Sequence, residues 1–313
     1  MSTEAATTGD AIAWRIGLVG YGEVGRILAE DLRARQVVVC AYDIKLADRA
    51  AAASLALHAA EHGVRLADSA AGAAEGADLV ISAVTASQTL AAAGAACPGM
   101  KPRAFFLDFN SASPGAKIGA AAAVTAAGGR YVEGAVMTSV PPYRLRVPLL
   151  LGGPDAHDLE QPLTALGFVA RVASDRLGVA SATKMCRSVM IKGLEAMVVE
   201  SFTAARHYGV EEAVIASLQE TFPGVDWERQ ATYFFQRTIE HGRRRGEEMV
   251  EAAQTMREAG LTPWSAAGTA ERQAWLADLA EAGVFGTRRD PGFARSADWR
   301  TEADRILADP QPR

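Results

Sequence analysis

Gly20-Tyr21-Gly22-Glu23-Val24-Gly25 is entered from the apolar run Ile16-Gly17-Leu18-Val19 and followed by Val24, Ile27, Leu28 and Leu32 at helical spacing. A second apolar run, Val37 to Tyr42, ends in Asp43. A glycine-rich turn alone says little in a chain with 29 glycines. Here a β-rich run precedes the turn, a helix follows it, and an acid closes the next strand about 20 residues on, which is the context a dinucleotide-binding turn requires. Each glycine has a physical task. Gly20 makes the tight turn, Gly22 lets backbone approach a pyrophosphate, and Gly25 lets the helix pack on the strand. The helix N-terminus then presents N–H groups and a partial positive charge to the phosphates. Gly20, Tyr21, Gly22, Glu23, Val24 and Gly25 are therefore read as cofactor contacts.

Asp43 narrows the cofactor. A carboxylate at this place accepts hydrogen bonds from the adenosine ribose and opposes the 2′-phosphate of NADP. Two unit charges about 4 Å apart repel by roughly 4 kcal/mol at an effective dielectric of 20. The expectation is NAD in preference to NADP, with Lys45 and Arg49 close enough in sequence to soften the choice.

The first half alternates β-rich runs (14–19, 36–42, 78–84, 104–108, 147–151) with helical patterns (24–34, 47–61, 87–96, 114–127). That alternation predicts an α/β fold with a doubly wound parallel sheet. Ligands of such sheets bind beyond the carboxyl ends of the strands. The rule singles out Val84-Thr85-Ala86, where Val84 and Thr85 are cofactor candidates, Asp108-Phe109-Asn110-Ser111, and Gly152-Gly153. From Gly178 onward strand signals disappear, and helices are expected over 180–208, 211–220, 227–240, 243–259 and near 266–281. The organisation expected is a disordered leader over 1–12, a dinucleotide-binding domain over 13–176 and a helical substrate and dimerisation domain over 177–313. The segment after Asp290, rich in Pro, Arg and Asp, reads as peripheral or poorly ordered. The long helix from Ala180 would start beside the cofactor cleft.

At 313 residues, 49% hydrophobic and 22% charged, the composition is that of a globular protein with a sizeable core. A net charge of −5 gives no reason to expect nucleic acid or an anionic membrane as partner. The apolar runs are short of a membrane span, and Met1 to Asp10 lacks the features of a signal peptide. Three cysteines far apart fit a reduced, cytoplasmic setting. His58, His62, His157 and His207 have no carboxylate or cysteine pattern around them in sequence, so no metal site is expected.

These pieces, in this order, resemble the β-hydroxyacid dehydrogenase family, which includes 3-hydroxyisobutyrate and 6-phosphogluconate dehydrogenases. The likeness rests on Gly20–Gly25, on Asp108-Phe109-Asn110-Ser111-Ala112-Ser113-Pro114, on Gly129–Ser139 leading to Leu151-Gly152-Gly153, and on Gly178-Val179-Ala180-Ser181-Ala182-Thr183-Lys184. Val136-Met137-Thr138-Ser139-Val140-Pro141-Pro142 and His241-Gly242-Arg243-Arg244-Arg245 resemble a little-characterised branch with a 6-phosphogluconate dehydrogenase-like C-terminal domain. The resemblance implies a Rossmann domain, a homodimer, and Lys184 as general acid/base for an alcohol or ketone. A lysine suits the task because burial or a neighbouring cation such as Arg187 can bring its pKa toward neutrality.

Three positions depart from the family's pattern. Ser188 stands where an asparagine is expected; it keeps one hydroxyl for catalysis and loses the two-handed amide contact. Met137-Thr138-Ser139 replaces the Ser-Gly-Gly loop that holds a substrate carboxylate, and Asn110-Ser111 replaces a Ser-Thr pair. The resemblance makes Asn110, Ser111, Met137, Thr138 and Ser139 the substrate-binding candidates, for an alcohol, ketone or imine larger or less acidic than a small hydroxy acid. Arg244 is a further candidate, through its guanidinium fork, for a substrate anion. Two alternatives stand beside the dehydrogenase reading: an imine or enamine reductase on the same frame, and a non-catalytic NAD(P)-binding sensor.

Overall fold

The computed structural model describes residues 13–309, so the expected leader over 1–12 lies outside the described residues. The chain divides into two compact units, Met1–Lys184 and Met185–Arg313. In the first unit, β1 (Arg15–Val19), α1 (Glu23–Ala34), β2 (Val38–Tyr42), α2 (Arg49–His62), β3 (Arg65–Leu66), α3 (Ala70–Ala74), β4 (Leu79–Ser82), α4 (Thr89–Ala96) and β5 (Phe105–Asp108) follow in order. They continue into α5 (Pro114–Ala126), β6 (Arg130–Val136), α6 (Val140–Tyr143), β7 (Pro148–Gly152), α7 (Ala156–Ala165) and β8 (Val169–Ser174).

The strands form one eight-stranded sheet in the order β3-β2-β1-β4-β5-β6-β7-β8. All pairs are parallel except β6 with β7. The expected doubly wound parallel sheet is thus present, with that one antiparallel pair as the correction. Central strands are buried along their length, as in Leu79–Ser82 and Phe105–Asp108, because helices cover both faces of a parallel sheet. The chain winds outward from β1 through β2 to β3, then returns to β4 on its other side. That reversal is the topological switch point where α/β sheets bind ligands.

Three strands go beyond the sequence reading. β3 is only two residues long, Glu133 and Gly134 interrupt the apolar run of β6, and β8 alternates exposed and half-buried residues as an edge strand does.

Helix α8 (Val179–Tyr208) begins in the first unit and continues into the second, which holds α9 (Glu211–Thr221), α10 (Trp227–Glu258), α11 (Trp264–Glu281) and α12 (Trp299–Ala308). Two expectations are corrected here. The break expected near Gly242 does not occur: α10 runs unbroken for 32 residues. Gly242 serves packing instead, since a Cβ there would lie 2.7 Å from the Gln273 carbonyl oxygen of α11. The segment after Asp290 is not peripheral either. Trp299, Ala303 and Ile306 recur at helical spacing and are buried, and the Asp298 carboxylate caps their helix at the Arg300 N–H. The Trp299 ring packs 5.1 Å from Phe202 and 5.7 Å from Phe235.

Candidate active site

The glycine turn closes the carboxyl end of β1. Gly20 has φ +100°, and its N–H donates to the Tyr42 carbonyl at 2.8 Å. A side chain at Gly20 would strike the Ala83 carbonyl oxygen, and one at Gly25 would strike the Gly20 carbonyl oxygen. Gly22 is the opposite case: a Cβ there would meet nothing within 4 Å. The backbone is therefore open at the residue where a pyrophosphate must approach. Gly22 also starts α1 without a side-chain cap, so the first-turn N–H groups keep their capacity to bind an anion.

Asp43 anchors the turn. Its Oδ2 accepts from the Tyr21 N–H at 2.7 Å and its Oδ1 from the Lys45 N–H at 2.9 Å. Each carboxylate oxygen retains a lone pair, which suits a ribose hydroxyl. These features fit a dinucleotide held by Gly20–Gly25 and Asp43.

The next strand ends are tied together from below. The Asn110 Oδ1 accepts from the Val84 N–H at 2.7 Å, and its Nδ2 donates to Ser82 Oγ at 3.0 Å. Asn110 thus straps the end of β5 to the end of β4, with its amide already engaged by protein. Val84 in turn packs on the turn, its Cγ1 3.0 Å from where a Gly20 Cβ would lie. Thr85 precedes a short 3₁₀ turn over Ala86–Gln88. Beneath Asn110, the Asp108 Oδ1 accepts from the Asn110 N–H at 2.9 Å and pairs with Lys117 Nζ at 2.8 Å, while its Oδ2 accepts from the Tyr131 hydroxyl at 2.7 Å. Burial, reinforced by the Asp108 charge, pushes the Tyr131 phenol well up, so it remains a donor. Lys117 is about 1% exposed, and no periodicity in the sequence marks it as a partner of Asp108.

Glu133 positions the lysine. This buried carboxylate of β6 accepts from the Ala180 N–H at 3.0 Å and the Ser181 hydroxyl at 2.8 Å, capping the first turn of α8 with a negative charge. Gly152 makes room for it, since a Cβ at Gly152 would strike Glu133 Oε1. One turn after Ala180, the half-buried Lys184 donates from Nζ to Ser111 Oγ at 2.5 Å. Continuous contacts therefore run from Gly20 through Val84, Asn110 and Ser111 to Lys184, all within one unit. Met137 is partly buried against Ala135, Leu150 and Ala180, Thr138 is exposed, and Ser139 precedes α6.

The second unit carries the remaining candidates. Ser188, buried on α8, accepts from Lys192 Nζ at 3.1 Å, and Lys192 pairs with Glu248 Oε2 of α10 at 2.7 Å. Burial pulls the Lys192 ammonium below its usual value, Glu248 opposes the shift, and Arg245 and Arg244 add to it. The arginine run spreads three ways. Arg243 pairs with Asp278 and Glu281 of α11, Arg244 lies 3.6 Å from Glu248, and Arg245 is buried against Glu195 of α8. Arg187 is exposed.

The family profile of the NAD-binding domain of 6-phosphogluconate dehydrogenase matches residues 15–157, and that of the domain of unknown function DUF1932 matches residues 205–276. Fold, turn and first match together mark the first unit as an NAD(P)-binding domain of the 6-phosphogluconate dehydrogenase type.

The chain is 38% identical to a conserved hypothetical protein from Sinorhizobium meliloti, with a TM-score of 0.74, covering 95% of this chain and 96% of that one. It is 30% identical to the conserved protein MTH1747, described as structurally similar to 3-hydroxyacid dehydrogenases, with a TM-score of 0.66, covering 85% of this chain and 99% of that one. The 3-hydroxyisobutyrate dehydrogenase of Mycobacterium tuberculosis shares the fold at 17% identity and a TM-score of 0.70, covering 95% of this chain and 100% of that one. This chain belongs to the family of the first two of these, conserved proteins whose fold is that of the 3-hydroxyacid dehydrogenases.

Proposed function

We propose that this chain moves hydride between NAD and a secondary alcohol or its ketone, with Lys184 holding the proton of the substrate oxygen. The observation that carries this reading is Lys184 Nζ on Ser111 Oγ, at the strand ends that continue from the glycine turn. When bound, the dinucleotide supplies or accepts hydride at its nicotinamide ring. Lys184 gives a proton to the substrate oxygen in reduction and takes it back in oxidation. An ammonium only donates, so Ser111, as its acceptor, has its own O–H to offer a substrate oxygen. Ser188 is in the same chemical position toward Lys192. The partly buried, apolar Met137 favours a substrate less acidic than a small hydroxy carboxylate.

The test is Lys184→Met, assayed by NADH absorbance over a panel of secondary alcohols and ketones. Cofactor binding should persist within about twofold while turnover falls about 100-fold or more, the scale of a lost general acid. Full turnover by the variant on any substrate of the parent protein refutes the role. Cofactor binding by the parent without turnover on the whole panel favours a sensor.

We also infer a homodimer. In support, α8 leaves Met190 and Met197 largely exposed at positions seven residues apart, on one side of the helix.

A further inference from the structure

We propose that Glu30, His58 and His62 form a binding site for a divalent transition cation of the zinc class. Sequence spacing does not suggest one, because Glu30 lies on α1 and the two histidines lie on α2, 28 and 32 residues further along. The fold brings the three together. One ligating atom from each lies within 4.8 Å of the others. His58 and His62 are one helical turn apart on the last turn of α2, so both imidazoles leave the same face, with ring centroids 4.5 Å apart. Among the described residues, no hydrogen bond ends on the His62 ring. Two ligand atoms about 2.1 Å from a zinc ion sit roughly 3.4 Å apart in tetrahedral geometry, so modest side-chain rotation completes the set. Two imidazole nitrogens and one carboxylate oxygen select zinc and its neighbours over magnesium or calcium, and leave a fourth position for water.

The surroundings supply the outer shell such a site needs. Glu30 Oε1 lies 2.9 Å from His58 Nε2, while its other oxygen accepts from Arg144 Nη2 at 2.6 Å. The Arg144 guanidinium thus holds one Glu30 oxygen and leaves the other turned to the histidines. Arg144 is itself fixed by Asp31 through Nε at 2.8 Å. On the far side of the ring, the Tyr21 hydroxyl lies 2.9 Å from His58 Nδ1. With the cation on Nε2, the His58 proton moves to Nδ1 and donates to the Tyr21 oxygen, a tautomer change that leaves the ring neutral. Tyr21 belongs to the glycine turn, so the cation site and the turn share a residue.

Zn²⁺ titrated calorimetrically into the metal-free full chain, without an affinity tag, should bind at one equivalent. Co²⁺ should give visible absorption bands of nitrogen and oxygen ligation. His62→Ala should weaken Zn²⁺ at least about tenfold and abolish the Co²⁺ bands, with an unchanged circular dichroism spectrum. Glu30→Gln, which keeps the shape and removes the charge, should give the same loss and serves if His62→Ala does not fold. Absence of saturable Zn²⁺ binding, or parental affinity in these variants, overturns the site.

Discussion

Asp43 holds the glycine turn and still has acceptor capacity to spare. Its carboxylate holds the Tyr21 and Lys45 N–H groups and keeps lone pairs for a ribose. Asp43→Asn retains an acceptor but removes the charge. Competition titrations should show the NADPH-to-NADH affinity ratio rising about tenfold or more, in line with loss of a like-charge repulsion at close range; an unchanged ratio would place cofactor choice elsewhere. Asp43 was legible in sequence because it follows the glycine turn at a fixed interval. Glu133 and Lys117 were not. Both are charged residues at buried positions, the usual signs of a solvated surface, and only their partners (the first turn of α8 and Asp108) make burial tolerable. Asn110 was legible as a strand-end polar residue, but not as the strap between β4 and β5.

At the scale of elements, helices were read from periodicity and misread where glycine or polarity interrupted it. Two helices are expected over 227–240 and 243–259, whereas Gly242 between them is a close approach of the unbroken α10 to α11. Helix α12 was missed because its flanks are rich in Arg, Asp and Pro, yet its apolar face completes the second unit's core. Trp299 is about 1% exposed, and its indole N–H donates to Glu228 Oε2 at 2.9 Å. Trp299→Ala should therefore destabilise the chain by about 3–5 kcal/mol, the cost of a large-to-small change in a packed core. Urea denaturation followed by circular dichroism checks this, and a loss below about 1 kcal/mol would mean that α12 is dispensable.

At the scale of the whole molecule, sedimentation equilibrium should give twice the 32.9 kDa chain mass. Met197→Glu, a charge placed on the exposed side of α8, should shift the protein toward monomer with little change in the thermal transition of the isolated chain. A stable monomer for the parent protein would remove the dimer. No helix among the described residues is long and apolar enough to cross a membrane. The sequence by itself determined the dinucleotide turn, the α/β alternation and the helical second half, because each is written in neighbouring residues through local φ/ψ, periodicity and apolar runs. Only the tertiary structure decided the capping of α8 by Glu133, the Lys117–Asp108 support, and the meeting of Glu30 with His58 and His62. Those partners lie far apart along the chain. What joins Glu133 and Lys117 to theirs is the cost of leaving buried charge and hydrogen-bonding groups unpaired, a cost that exists only once the fold has excluded water; Glu30 meets the histidines because α1 and α2 pack beside one another.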